Sequence, residues 1–152
     1  MTVPQIGERY RGVEGRSGYL LRQAWQAFHG AMERALHAHA LTGAQYGVLS
    51  VLARDDGMSG ADLARACHTT PQAMNGVLVT LVREGLVERR HHATHGRIVE
   101  TWLTPEGRKR LRAATPSVRA LERVIEQGLT HDQLDAVKTW LVSCAQRMAE
   151  GA

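Results

Sequence analysis

Three histidines and three arginines crowd RRHHATHGRIVETW, Arg89 to Trp102, whose first acidic residue is Glu100. Two chemistries suit that composition: imidazole ligation of a metal ion, or contact of cationic side chains with an acidic partner. Spacing argues against the metal. His91 and His92 are adjacent, so on a strand they point to opposite faces, and no nearby Cys or Asp joins them and His95 to complete a set of four. His37 and His39, two apart in a helical stretch, do not converge either. Neither metal nor cofactor is expected. Cys67 and Cys144 lie too far apart in the sequence to suggest a disulfide scaffold. A peroxide-sensing Cys67 would need an exposed thiolate of low pKa, which His68 next door only weakly suggests; a buried, structural cysteine is the simpler reading. The sequence holds no GxSxG, P-loop or HExxH pattern and no paired carboxylates on a recognisable scaffold, so no enzymatic activity is expected.

Composition sets the frame for that basic stretch. A chain of 152 residues with 43% hydrophobic and 22% charged residues supports one folded domain rather than a disordered segment. Its net charge of +4 and pI near 9.6 favour an acidic partner such as nucleic acid. No apolar run approaches the roughly 20 residues of a membrane helix, and MTVPQIGERYRGVEGR lacks an apolar signal core, so a cytoplasmic location without a membrane partner is expected.

The elements around the stretch follow from periodicity and caps. Residues 1–16, with Pro4, Gly7, Gly12 and Gly15, read as a flexible arm ahead of a single domain over 17–152. Leu20, Leu21, Ala24, Trp25, Phe28, Ala31, Met32, Ala35 and Leu36 recur at three- and four-residue steps and predict a long amphipathic helix over 17–40. Thr42 with Gln45 is a capping box for a second helix, and Ser59 caps a third of about two turns. Thr70-Pro71 opens a fourth, with Met74, Val77, Leu78, Leu81 and Val82 on its core side and Gln72, Asn75, Gly76, Val79 and Arg83 on the other. Gly85 ends it. LVERR and RIVETWL then form two strands joined by HHATHG, which places the histidines at a hairpin tip. Thr104-Pro105-Glu106 starts a helix that Pro116 is expected to kink or interrupt, and Thr130 with Gln133 caps the last one, whose apolar side carries Leu134, Val137, Trp140, Leu141, Cys144 and Met148.

The fold class is therefore mainly α with a small β-hairpin wing. Residues 42–104 form a winged helix-turn-helix, and 17–40 with 116–150 form terminal helices. The fourth helix would enter the major groove of double-stranded DNA, with Gln72 and Asn75 pairing with adenine, Gly76 allowing close approach and Val79 meeting a thymine methyl. Ser59, Thr70 and Arg83 are candidates for backbone contacts, as are Arg90 and His92 in the wing. The terminal helices expose more apolar surface than a small winged domain can cover, and two-fold pairing would cover it, setting two reading helices roughly 34–36 Å apart.

LTGAQYGVLSVL, MSGADLARAC, TTPQAMNGVLVTLVREGLVERR and ETWLTPEGRK, in that order, resemble the MarR family of transcriptional regulators over about residues 17–150. The resemblance implies a homodimer on a pseudo-palindromic operator, acting as a repressor that a small-molecule effector or a redox signal releases. It also implies ligand-pocket candidates Arg22, Trp25, His29 and Tyr46. MarR-like wings carry Asp-x-Arg, whereas the aligned residues here are His95-Gly96-Arg97. Arg97 suits insertion into the minor groove. A neutral His95 would accept a hydrogen bond from it and a protonated one would repel it, so DNA affinity is expected to vary between about pH 6 and 8. Two alternatives stay open: an architectural DNA binder without effector, and a redox sensor acting through Cys67.

Overall fold

The computed structural model describes residues 2–151, so Met1 of the expected arm and Ala152 of the expected domain lie outside it. The described chain divides into two compact units, the first up to Val118 and the second from Arg119. The first holds α1 (Ser17–His37), α2 (Gly43–Leu52), β1 (Met58–Ser59), α3 (Gly60–Ala66), α4 (Pro71–Arg83), β2 (Val87–His91), β3 (Val99–Leu103) and most of α5 (Pro105–Ile125). The second holds the end of α5 and α6 (His131–Glu150).

Caps set the helix starts where the sequence places them. Thr42 Oγ1 accepts from the Gln45 amide at 3.2 Å and Gln45 Oε1 accepts from the Thr42 amide at 2.9 Å, a reciprocal pair that Thr130 and Gln133 repeat at α6. Leu36, Leu49, Leu52, Leu63, Met74, Leu78, Leu81 and Leu86 are fully buried in one continuous core. At the end of α4, Gly85 takes φ +70°, the Leu86 amide donates to Leu81 O at 2.9 Å and the Gly85 amide donates to Val82 O at 3.0 Å. This pair of bonds satisfies the last carbonyls of α4 and turns the chain straight into β2.

Four expectations change. The hairpin is part of a three-stranded antiparallel sheet in the order β1-β3-β2; β1, two residues long, is too short for a period-2 signal. Residues before Ser17 hold a 3₁₀ turn at Arg9–Arg11. Arg11 Nη1 donates to Pro4 O at 2.8 Å, and Arg11 Nε donates to Gln23 Oε1 of α1 at 3.1 Å, bonds that leave no trace in periodicity. α5 runs unbroken through Pro116, because buried Leu111, Ala114 and Val118 anchor it on both sides of the proline. A boundary at residue 116 thus falls inside a helix. Val82, expected in the core, is 42% exposed, so the buried stripe of α4 is narrower than its apolar composition.

The first turn of α5 lies hard against the peptide of Leu86, just before β2. A methyl group built on Gly107 would sit 2.0 Å from the carbonyl oxygen of Leu86. Thr104 Oγ1 accepts from the Gly107 amide at 3.0 Å, and the Thr104 amide donates to Leu86 O at 3.2 Å. Gly107→Ala is accordingly expected to lose about 1–3 kcal/mol of stability through overpacking. A urea unfolding midpoint equal to that of the parent chain would contradict this contact.

Candidate nucleic-acid interface and effector cavity

Thr70 Oγ1 accepts from the Ala73 amide at 3.1 Å, and Pro71 stands at the first helical position, so the start of α4 is held without help from a partner. From there Gln72, Asn75, Gly76, Val79 and Arg83 are all exposed, while Met74, Leu78 and Leu81 are buried on the opposite side. Gly76 has open space where a side chain would begin, so the backbone of α4 is accessible there. Ser59 is placed differently. Its hydroxyl donates to Asp62 Oδ2 at 2.6 Å and accepts from the Asp62 amide at 3.1 Å, which commits it to the start of α3. That hydroxyl and the Arg65 guanidinium hold the Asp62 carboxyl below its usual range.

The wing sorts its charges into tied and free. Arg90 is tied: it pairs with Glu88 and lies 5.6 Å from the ring centre of Trp102. Glu100 accepts from Trp102 Nε1 at 3.3 Å and faces His92 Nε2 at 3.5 Å. His92 Nδ1 accepts from the amides of Thr94 and His95, each at 3.1 Å, and His91 Nδ1 lies 2.8 Å from the carbonyl oxygen of Gly96, to which it must donate. His91 and His92 are therefore the residues that shape the tip. The expected bond from Arg97 to His95 is not formed; the His95 ring instead lies 5.3 Å from that of His92. Arg97 is exposed and makes no hydrogen bond or ion pair among the described residues. Sequence reasoning treated His91 only as a rejected metal ligand and gave Glu100 and Trp102 no role. The cross-strand pairing of Arg90 with Glu100 was the signal that a register for the hairpin would have supplied. No group of three or more metal-ligating side chains occurs among the described residues.

The four ligand candidates separate. Trp25 and Tyr46 line one cavity of 280 Å³, together with Met32, Gly47, Cys67 and Val77 among others. His29 is absent from its lining; it stacks on Trp25 at 5.4 Å and faces Glu33 at 3.7 Å. Arg22 lies in another cleft, with Arg11, Tyr19, Gln23 and Gln26. Cys67, read from the sequence as a buried structural cysteine or a redox thiol, also lines this cavity. Burial pushes its thiol pKa up, which disfavours the thiolate.

Comparison with known proteins matches this arrangement. Residues 39–98 fit the model of the MarR family. The chain is 35% identical over 124 residues to the HTH-type transcriptional repressor Rv2887 of Mycobacterium tuberculosis, covering 82% of this chain and 89% of that one. The chain belongs to the MarR family. Among solved structures of this family's fold, Rv2887 in complex with salicylic acid superposes with a TM-score of 0.67 at 33% identity, covering 85% of this chain and 96% of that one. BpsR of Bordetella bronchiseptica, whose structure concerns regulation of DNA binding by 6-hydroxynicotinic acid, gives 0.80 at 25% identity over 88% and 95%. The repressor CouR, bound to a 23-mer DNA duplex, gives 0.81 at 24% identity over 95% and 99%, a likeness of fold. No helix among the described residues is long and apolar enough to cross a membrane.

The raised Cys67 pKa has a measurable sign. In a Cys144→Ser background, Cys67 is expected to alkylate more slowly than a free thiol, with a rate still climbing above about pH 8.5. A rate already level at neutral pH would instead mark a stabilised thiolate.

Proposed function

We propose that this MarR-family chain is a homodimeric, sequence-specific DNA-binding repressor released by a small aromatic effector. The observation that carries the reading is the outward row of α4, Gln72, Asn75, Gly76, Val79 and Arg83, beside a wing whose only unengaged arginine at the tip is Arg97. Gln72 and Asn75 offer bidentate amide contacts to adenine, and Val79, 55% exposed, offers a methyl-sized apolar surface to thymine. Arg83 and the Thr70 hydroxyl proton serve phosphates, and Arg97 serves a narrow minor groove. Arg90, His92 and Ser59 act at one remove by holding the wing and α3 in shape.

The dimer covers apolar residues that each chain leaves exposed on its terminal helices: Tyr19, Leu21 and Trp25 on α1, and Val137, Trp140, Leu141 and Val142 on α6. Effector control is supported by the aromatic acids named for Rv2887 and BpsR and by the cavity that reaches α4. Burial pushes the Cys67 thiol pKa up, which disfavours a redox role for it. The chain acts as a binder rather than an enzyme, in the cytoplasm where its DNA lies.

Selection from a random duplex pool tests the reading directly. The expected product is a two-fold symmetric consensus; enrichment of no sequence would point to an architectural binder and defeat specific recognition. On the selected site, Asn75→Ala is expected to cost about 1–3 kcal/mol and to relax preference at one base pair of each half-site. Arg97→Ala should weaken binding most at sites flanked by A-tracts, whose narrow minor groove attracts the guanidinium. An unchanged ranking of A-tract and G·C-rich flanks in Arg97→Ala would remove the minor-groove role.

A further inference from the structure

Of residues 91–98 at the wing tip, His92 alone is not exposed. Its ring is held on two sides. Nδ1 accepts from the amides of Thr94 and His95, each at 3.1 Å, and Nε2 faces Glu100 Oε1 at 3.5 Å. A ring nitrogen that accepts from two N–H groups carries no proton, so this arrangement selects the neutral tautomer with its hydrogen on Nε2. Bonds from one side chain to the amides two and three residues further on are the pattern with which Asn and Asp build a turn. Here an imidazole builds it, and a histidine, unlike an amide, ordinarily changes charge between about pH 5 and 8.

Protonation acts on the two nitrogens differently. Nε2 keeps its hydrogen toward Glu100 in either state. Nδ1 turns from acceptor to donor and meets two donors, so both bonds to the tip backbone are lost. The other charged groups around the ring do not replace them. Arg90 is paired with Glu88 and lies over Trp102, and His91 donates to Gly96 O whether or not it is protonated. The His95 ring, 5.3 Å from that of His92, adds repulsion when both are charged. Arg97 stands inside the segment that these contacts close. The His92 amide donates to Ile98 O at 2.8 Å and the Ile98 amide to His95 O at 2.8 Å, so Arg97 is placed by a loop fastened at His92 through its backbone and its side chain together.

We propose that neutral His92 is the positioning residue of the wing tip, and that its protonation frees residues 94–97 and with them removes the preference of Arg97 for a narrow minor groove. The inference rests on the reading of Arg97 as the side chain that enters the groove, and it places the pH sensitivity of the wing at His92 rather than at His95. Its direction separates it from the effect of charge alone. Protonated histidines add positive charge and strengthen binding to any DNA as pH falls. Loss of the tip lowers only the ratio of affinities between narrow-groove and wide-groove sites.

Competition at fixed salt between the selected operator with A-tract flanks and the same operator with G·C-rich flanks reads that ratio. In the wild-type chain it is expected to fall about threefold or more between about pH 8 and the pH at which nuclear magnetic resonance shows His92 protonated. Asn Oδ1 is bonded to Cγ as the histidine Nδ1 is, so His92→Asn keeps an acceptor for the two amides and gains no proton; its ratio should stay high at every pH. His92→Ala should give the low ratio throughout, and His95→Asn should keep the wild-type fall. Long-range proton–nitrogen spectra at about pH 8 should show the His92 hydrogen on Nε2 alone. Protection of the Thr94 and His95 amides, corrected for the intrinsic pH dependence of exchange, should drop as His92 is protonated. A hydrogen on Nδ1 at high pH, protection or a high wild-type ratio that survives protonation of His92, or a His92→Asn ratio that still falls with pH would overturn the proposal. A wild-type ratio near one at every pH, with the spectra as expected, would instead overturn the groove reading of Arg97 and leave His92 as the residue that positions the tip.

Discussion

The peptide of Leu86 is the joint on which the DNA-facing geometry depends. Its N–H closes the last turn of α4 on Leu81, its carbonyl accepts from Thr104 at the start of α5, and its side chain is fully buried. One residue therefore ties the reading helix, the first strand of the wing and the helix leading to the chain's C-terminal part. The tie works only because Gly85 adopts a positive φ and Gly107 has no side chain to strike the Leu86 oxygen. The Leu86 N–H bond to Leu81 O, at 2.9 Å, joins the end of α4 directly to the residue that leads into β2.

With that joint in place, the wing spends its polar groups on itself. Glu100 gathers His92 and Trp102, Arg90 lies over the indole, and His91 and His92 hold the tip backbone. Where a family wing would use an aspartate to orient its arginine, this one shapes the loop with two imidazoles bonded to peptide groups. Arg97 is left unengaged among the described residues, as its proposed role in a groove requires. Neutral imidazoles are suited to the task because each ring offers both a donor and an acceptor.

The start of α2 is likewise held by side chains of the chain itself. Glu33 Oε1 accepts from the Gly43 amide, the first of α2, at 2.8 Å and lies 3.7 Å from His29 Nε2. Arg22 and His29 are close in sequence to Trp25 but serve other contacts.

What the sequence determined by itself was everything carried by local rules. The caps at Thr42, Ser59, Thr70 and Thr130, the stop at Gly85, the buried stripe of Met74, Leu78 and Leu81, and the exposed row of Gln72, Asn75 and Gly76 depend on neighbours within one or two turns, where periodicity and capping chemistry act. Only the tertiary structure decided the rest. β1 exists because β3 is there to pair with it; α5 survives Pro116 because the core grips it on both sides; Val82 is left exposed because no element packs over it. The wing partners of Glu100 and the lining of the cavity depend on side chains brought together across the sheet and between helices. Such contacts are set by three-dimensional packing, and spacing along the chain carries no record of them.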